Sequence, residues 1–123
     1  EGVHDTVLIG WSFGAAVAVA AGAVGRTVRG VAALSASSAE GCCTKYLRRK
    51  PILVVHGDAD TVAPLENSKR LYDEAGPHRR MLIYPGAGHG LIEVRDHLLR
   101  DLEEWATSML VPGKASHIRE SAA

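Results

Sequence analysis

Cysteine, methionine and aromatic residues are scarce in this sequence, and neither sign of charge is in excess. The two cysteines, Cys42 and Cys43, are neighbours. Adjacent cysteines rarely reach the geometry of a relaxed disulfide, and no metal-ligand spacing surrounds them. A disulfide scaffold is therefore excluded, and two ordinary thiols point to a reducing, cytoplasmic setting. No secretory signal is visible; the chain opens at Glu1, so the expectation leaves room for a segment ahead of it. Fourteen basic residues balance fourteen acidic ones. That balance, with no basic stripe, argues against a nucleic-acid partner. The longest apolar run, residues 15–21, falls far short of the roughly 20 residues that span a bilayer, so no membrane partner is expected. Six histidines are present, but they show neither helical pairing nor a cysteine cluster, and no metal is expected.

What is present is an ordinary globular composition, with 46% hydrophobic residues in 123. That length fits one domain with a real core. Short apolar runs at residues 6–9, 28–34, 52–56 and 81–84 predict strands. Helices are predicted over residues 15–24, from Pro64 to about Glu74, and over residues 92–109. The last of these carries apolar residues at helical spacing. Residues 35–50 are polar, with a short helix expected over 43–49, whose run KYLRRK reads as a solvated face or an anion site. The alternation predicts an α/β class protein, a parallel sheet of about four strands flanked by helices. Residues 1–110 form its core and 111–123 a loose tail. Ligands of such sheets sit beyond the carboxyl ends of the strands.

Three polar clusters fall at that end. The first is Gly10-Trp11-Ser12-Phe13-Gly14, where the first strand turns into the first helix. Such an elbow holds a serine hydroxyl above the sheet, and the Phe13 N–H at the helix start can face a developing oxyanion. The flanking glycines are expected wherever a side chain would collide with strand or helix. Gly14 costs about 1 kcal/mol against alanine in a helix, which a plain serine N-cap leaves unexplained. The second cluster, HGDADTVAP from His56 to Pro64, offers Asp58 and Asp60. His56 ends an apolar strand and reads as a histidine satisfied by backbone. The third, GAGHG, offers His89. Serine, aspartate and histidine in that order make an acyl-transfer triad, and spacing alone leaves the two aspartates even. His4, His78, His97 and His117 read as surface residues.

The pieces GWSFGAA, PILVVHGDADTVAP and MLIYPGAGHG together resemble the carboxyl-terminal half of an α/β-hydrolase, of the small lidless serine esterase or dienelactone-hydrolase-like sort. The middle piece is similar to the family's HGxxDxxVP pattern, with Ala63 in place of its valine. The resemblance implies that Asp60 is the triad acid, with Ser12 as nucleophile and His89 as base, and that Asp58 shapes the turn. Dienelactone hydrolases use a cysteine nucleophile; serine at position 12 points to an ordinary serine esterase, and Cys42 and Cys43 lie outside the elbow. A lid would enter within residues 35–50, which are too few for one. An open site suits short-chain soluble esters, with Trp11 and Phe13 as walls and Val62 and Leu91 as weaker pocket candidates. No cofactor is implied. Thioesterase or peptide-hydrolase chemistry uses the same parts.

The resembled fold also has strands ahead of the elbow strand, and the loop after one of them supplies a second oxyanion donor. Only residues 1–5 precede the first strand here. The expectation is a fragment, a homo-oligomer that pairs its exposed edges, or a chain completed by a separate amino-terminal half. The rival to an enzyme is a non-catalytic half that binds a partner chain through that edge.

Overall fold

A computed structural model describes residues 4–38 and 44–121. Cys42 and Cys43 lie outside the described residues. Four strands, β1 (Thr6–Trp11), β2 (Val28–Leu34), β3 (Ile52–Gly57) and β4 (Arg79–Tyr84), pair in that order. All three pairings are parallel, with Leu8 opposite Val31, Ala33 opposite Val54, and Val54 opposite Met81. Helices α1 (Phe13–Val24) and α2 (Leu65–Glu74) provide the first and third crossovers, and α3 (Arg95–Leu110) follows β4.

The unbroken apolar runs are explained by burial on both faces. Val31, Ala33, Val54 and Met81 pack with Ala15, Val19 and Leu71 on the α1/α2 side. Their alternates Ala32, Leu34, Leu53, Val55 and Leu82 pack with Leu102 and Trp105 of α3 on the other. Close approach replaces side-chain bulk at two glycines. A Cβ on Gly22 would lie 2.4 Å from Val31, and one on Gly30 would lie 3.0 Å from the Trp105 ring.

Boundaries differ from expectation in two places. The helix expected from residue 92 divides into a 3-10 turn, Ile92–Val94, and α3, because Val94 at the junction leaves helical geometry, φ −119° and ψ 21°. The helix expected over 43–49 is the 3-10 turn Thr44–Leu47. Lys50 just beyond it places its ammonium 2.6 Å from the Gly22 and Gly25 carbonyls at the end of α1. A cation there is well placed against the helix dipole.

The loose tail expected over 111–123 is a correction. Ile118 is buried against the α3-side core. The Ser121 N–H donates to the Met81 carbonyl at 2.8 Å, and the Met81 and Ile83 N–H groups donate to Glu120 and Ser121 side chains at 3.1 and 2.9 Å. The segment occupies hydrogen-bonding groups that β4, an edge strand, would otherwise leave open.

The opposite edge is different. Ile9 on β1 is 48% exposed, and α1 exposes Phe13 and Val24 at 74% and 82%. The α1 sequence FGAAVAVAAGAV holds no polar side chain. A helix apolar all round is normally covered on every side.

Ending the chain at Gly113 is expected to lower the melting temperature and promote aggregation, because it uncovers β4 and removes Ile118 from the core. Thermal denaturation and light scattering of both forms check this; identical behaviour would mean that the segment is not a structural part of the sheet edge.

Candidate active site

Three loops at the carboxyl ends of the strands meet. Ser12 sits between β1 and α1 with φ 58° and ψ −119°. A non-glycine residue in that region carries strain of order 1–3 kcal/mol. Its N–H donates to the Leu34 carbonyl at 2.8 Å and its carbonyl accepts from the Ala15 N–H at 3.1 Å, which fixes the turn from both sides. A Cβ on Gly10 would lie 2.0 Å from the Gly14 carbonyl oxygen, so strand and helix meet there without room for a side chain. Gly14 corrects the expectation: a Cβ there meets nothing within 4 Å.

The Ser12 hydroxyl makes no cap bond to its helix. Instead Oγ lies 2.9 Å from His89 Nε2. His89 Nδ1 lies 2.8 Å from Asp60 Oδ2. With the carboxylate accepting, Nδ1 carries the proton, and Nε2 is left to accept from the serine. Asp60 Oδ1 accepts the Val62 and Ala63 N–H groups, both at 2.8 Å. Burial works to raise the Asp60 carboxyl, since its side chain is 1% exposed, but the Ala63 N–H, His89 and the Val62 N–H outweigh it and hold the group below its ordinary value.

The loop bearing His89 is seated on glycine. A Cβ on Gly57 would lie 2.2 Å from the Ala87 carbonyl oxygen, which also accepts the Ala59 N–H at 3.0 Å. Asp58 Oδ1 accepts the Gly86 N–H at 2.7 Å. The His89 carbonyl receives two donors, Trp11 Nε1 and Ser35 Oγ, each at 2.9 Å. Trp11 and His89 also lie ring to ring, with centroids 5.1 Å apart.

The sequence and the fold have known relatives. A model of the family described as Serine aminopeptidase, S33, matches residues 43–96. The chain is 36% identical over 58 residues to non-heme chloroperoxidase CPO-A1 of Kitasatospora aureofaciens, a stretch covering 45% of this chain and 21% of that one. Among solved structures it superposes on the esterase domain of a Rhodothermus marinus protein with a TM-score of 0.71 at 20% identity, over 81% of this chain and 60% of the other. It superposes on the monoacylglycerol lipase of Paleococcus ferrophilus with a TM-score of 0.75 at 16% identity, over 86% and 69%. The chain has the α/β-hydrolase fold. It spans about a fifth of the chloroperoxidase and under two-thirds of the Rhodothermus domain.

On this α/β-hydrolase frame the expected site residues separate. Ser12, His89 and Asp60 come together. Phe13 opens α1, so its N–H has no acceptor within the helix. Trp11 and Phe13 are exposed beside the serine, and Val62 is exposed at the acid loop. Leu91 is a correction: at 1% exposure it is a core side chain packed on the α3 side. No group of three or more histidine, cysteine or acidic side chains that could hold a metal occurs among the described residues. Sequence reading missed Ser35 and the Trp11 indole as supports of His89. The available signal was position: Ser35 is the first polar residue past the end of β2, where site residues gather.

Two outcomes follow. Gly10→Ala and Gly57→Ala are each expected to destabilise the fold by at least about 1–3 kcal/mol, as overpacked sites do, whereas Gly14→Ala stabilises by up to about 1 kcal/mol. Chemical denaturation of the three variants checks the order. For Asp60 the folded pKa is depressed. Its stabilising contribution is therefore present above the ordinary value of 3.8 and is lost as pH falls through the lower folded value. The stability gap between wild type and Asp60→Asn is expected at neutral pH and to close toward acid; a gap independent of pH would contradict the assignment.

Proposed function

We propose that this chain is a carboxylesterase-type serine hydrolase, cleaving short-chain esters through an acyl-serine intermediate. The observation that carries the reading is the continuous contact from Ser12 Oγ through both nitrogens of His89 to Asp60, at 2.9 and 2.8 Å. A serine placed only to cap a helix would not spend its hydroxyl on an imidazole 77 residues away.

In this reading Ser12 Oγ attacks the ester carbonyl carbon while its proton passes to His89 Nε2. Asp60 holds the imidazole in the reactive tautomer and stabilises the imidazolium. The Phe13 N–H faces the tetrahedral oxyanion. Collapse of the intermediate expels the alcohol, which takes the proton from Nε2. Water then enters, gives a proton to His89, and releases the acid and free Ser12. No cofactor takes part. Exposed Trp11 and Phe13 frame an open approach, which suits a small soluble ester better than a lipid aggregate, nucleic acid or membrane.

One observation favours a second reading. The uncovered β1 edge and apolar α1 suit a polypeptide partner, either β1 of a second copy or an amino-terminal half of the same fold. In that reading the elbow serves architecture and Ser12 is not activated.

Hydrolysis of p-nitrophenyl acetate by wild type and Ser12→Ala separates the two. Loss of turnover by at least about a thousandfold in the variant is expected, with covalent labelling of wild type alone by a fluorophosphonate. Equal rates and no labelling would sink the esterase reading. Sedimentation at micromolar concentration tests the partner: a monomer there speaks against self-pairing.

A further inference from the structure

His89 lies in a stretch that does little by itself to fix it. The loop enters the core at Ala87 and again at Leu91, both buried. Between them run Gly88, His89 and Gly90. A Cβ on Gly88 or Gly90 would meet only the Glu93 or Ile92 side chain, at 3.6 and 3.4 Å, so close packing grips neither flank. The Gly88 N–H donates to Glu93 Oε1 at 3.1 Å, an exposed contact. Glycine gives a backbone more conformations to sample than any other residue. In the hydrolytic reading His89 Nε2 must nevertheless stay 2.9 Å from Ser12 Oγ, and reacting groups tolerate little misplacement.

The hold on His89 comes through its carbonyl. Ser35 Oγ and Trp11 Nε1 each donate to it at 2.9 Å, and a carbonyl oxygen has lone pairs for both. Ser35 is wholly buried just past β2 and stands at φ 49°. A non-glycine residue in that conformation persists only where its surroundings over-determine it. Here they are its N–H, on the Val55 carbonyl at 2.8 Å, and its hydroxyl on His89. The peptide joining Leu34 to Ser35 also holds the elbow, because its carbonyl accepts the Ser12 N–H at 2.8 Å. A closed circuit results. Ser12 is bound to the end of β2 through backbone, the end of β2 to His89 through the Ser35 hydroxyl, and His89 to Ser12 through Nε2. Trp11, the neighbour of Ser12 in the chain, closes a second and shorter circuit through its indole.

We infer that Ser35 and Trp11 are positioning residues, which grip the His89 carbonyl from β1 and from the end of β2 and so set the separation of Ser12 Oγ and His89 Nε2. This deepens the hydrolytic reading of that site and rests on it. Ser35 acts from within the molecule and Trp11 from its surface, where it is half-exposed. Both bonds converge on one oxygen, so either donor alone retains it and loss of both releases it. The effects of removing them are therefore non-additive.

The test compares wild type with Trp11→Phe, Ser35→Ala, and two double variants that join Trp11→Phe to Ser35→Ala or to Ser35→Gly. Two quantities are measured: kcat and KM for p-nitrophenyl acetate, and the NMR order parameter of the His89 N–H, assigned with His89→Gln. Each single variant is expected to keep kcat within about threefold of wild type. Both doubles are expected to lose at least about tenfold in kcat with KM unmoved. The His89 order parameter is expected to fall from about 0.85 toward about 0.6 in the doubles and to hold in the singles. Glycine accepts positive φ and alanine does not, so equal losses in the two doubles assign the effect to the hydroxyl and not to backbone strain. Should the alanine double fail to fold, the glycine double carries the comparison. Unchanged His89 order in a folded double, or losses that glycine at position 35 restores, would overturn the inference. Order lost in the doubles of a protein whose wild type turns over no faster than Ser12→Ala would uphold the grip on His89 and overturn the hydrolytic reading instead.

Discussion

The site depends on one strained residue. Ser12 is held at positive φ by hydrogen bonds to β2 on one side and to the first turn of α1 on the other. The strain is sustained because both anchors are buried residues, Leu34 at the end of β2 and Ala15 in the first turn of α1. Gly10 is part of the same bargain, since the strand can turn into the helix only where backbone touches backbone. The consequence is chemical. A serine in an ordinary N-cap conformation gives its oxygen to the N–H groups of the helix; this one leaves the Phe13 N–H free and turns its hydroxyl to the loop opposite.

The second half of the site is assembled by the same device. Gly57 lets the His89 loop lie directly on the end of β3, and the loop is then tied down by Asp58, Ala59, Trp11 and Ser35. Ser12, His89 and Asp60 come from three different strand ends, yet each is fixed by backbone contacts at the end of the sheet. Positions built this way need little reorganisation during reaction, which is the condition for electrostatic stabilisation to count.

Much of this was legible in the residues, and the reasons are local. All four strands carry short apolar runs, and the elbow is a Gly-Trp-Ser-Phe-Gly turn at a strand-to-helix junction. Asp60 was separable from Asp58 only by resemblance, because both follow the same strand and both accept backbone N–H groups. What escaped is non-local. The donors on the His89 carbonyl come from 78 and 54 residues away, and no pattern around Trp11 or Ser35 announces them. Ile118 is a single apolar residue in a polar segment, without periodicity to mark it as core. Gly14 misled for a related reason: local sequence shows that a glycine is costly in a helix, not which neighbour it makes room for. His56 was read as satisfied by backbone, which holds for the Ala63 carbonyl at 2.9 Å, but its second partner, Ser68 Oγ at 2.7 Å from Nδ1, comes from α2.

The two edges of the sheet set the relation between folding and chemistry. At β4 the edge is closed by the chain's own last described residues, through Glu120 and Ser121. At β1 the described residues close nothing, and the exposed groups are apolar ones, Ile9 beside Val17 and Val24 of α1. β1 is also the strand that ends in Ser12. Whatever pairs with that edge therefore lies along the strand that leads into Ser12. Covering β1 should accordingly add stability next to the Ser12 turn, whereas the β4 edge, three strands away, is already closed by Glu120 and Ser121.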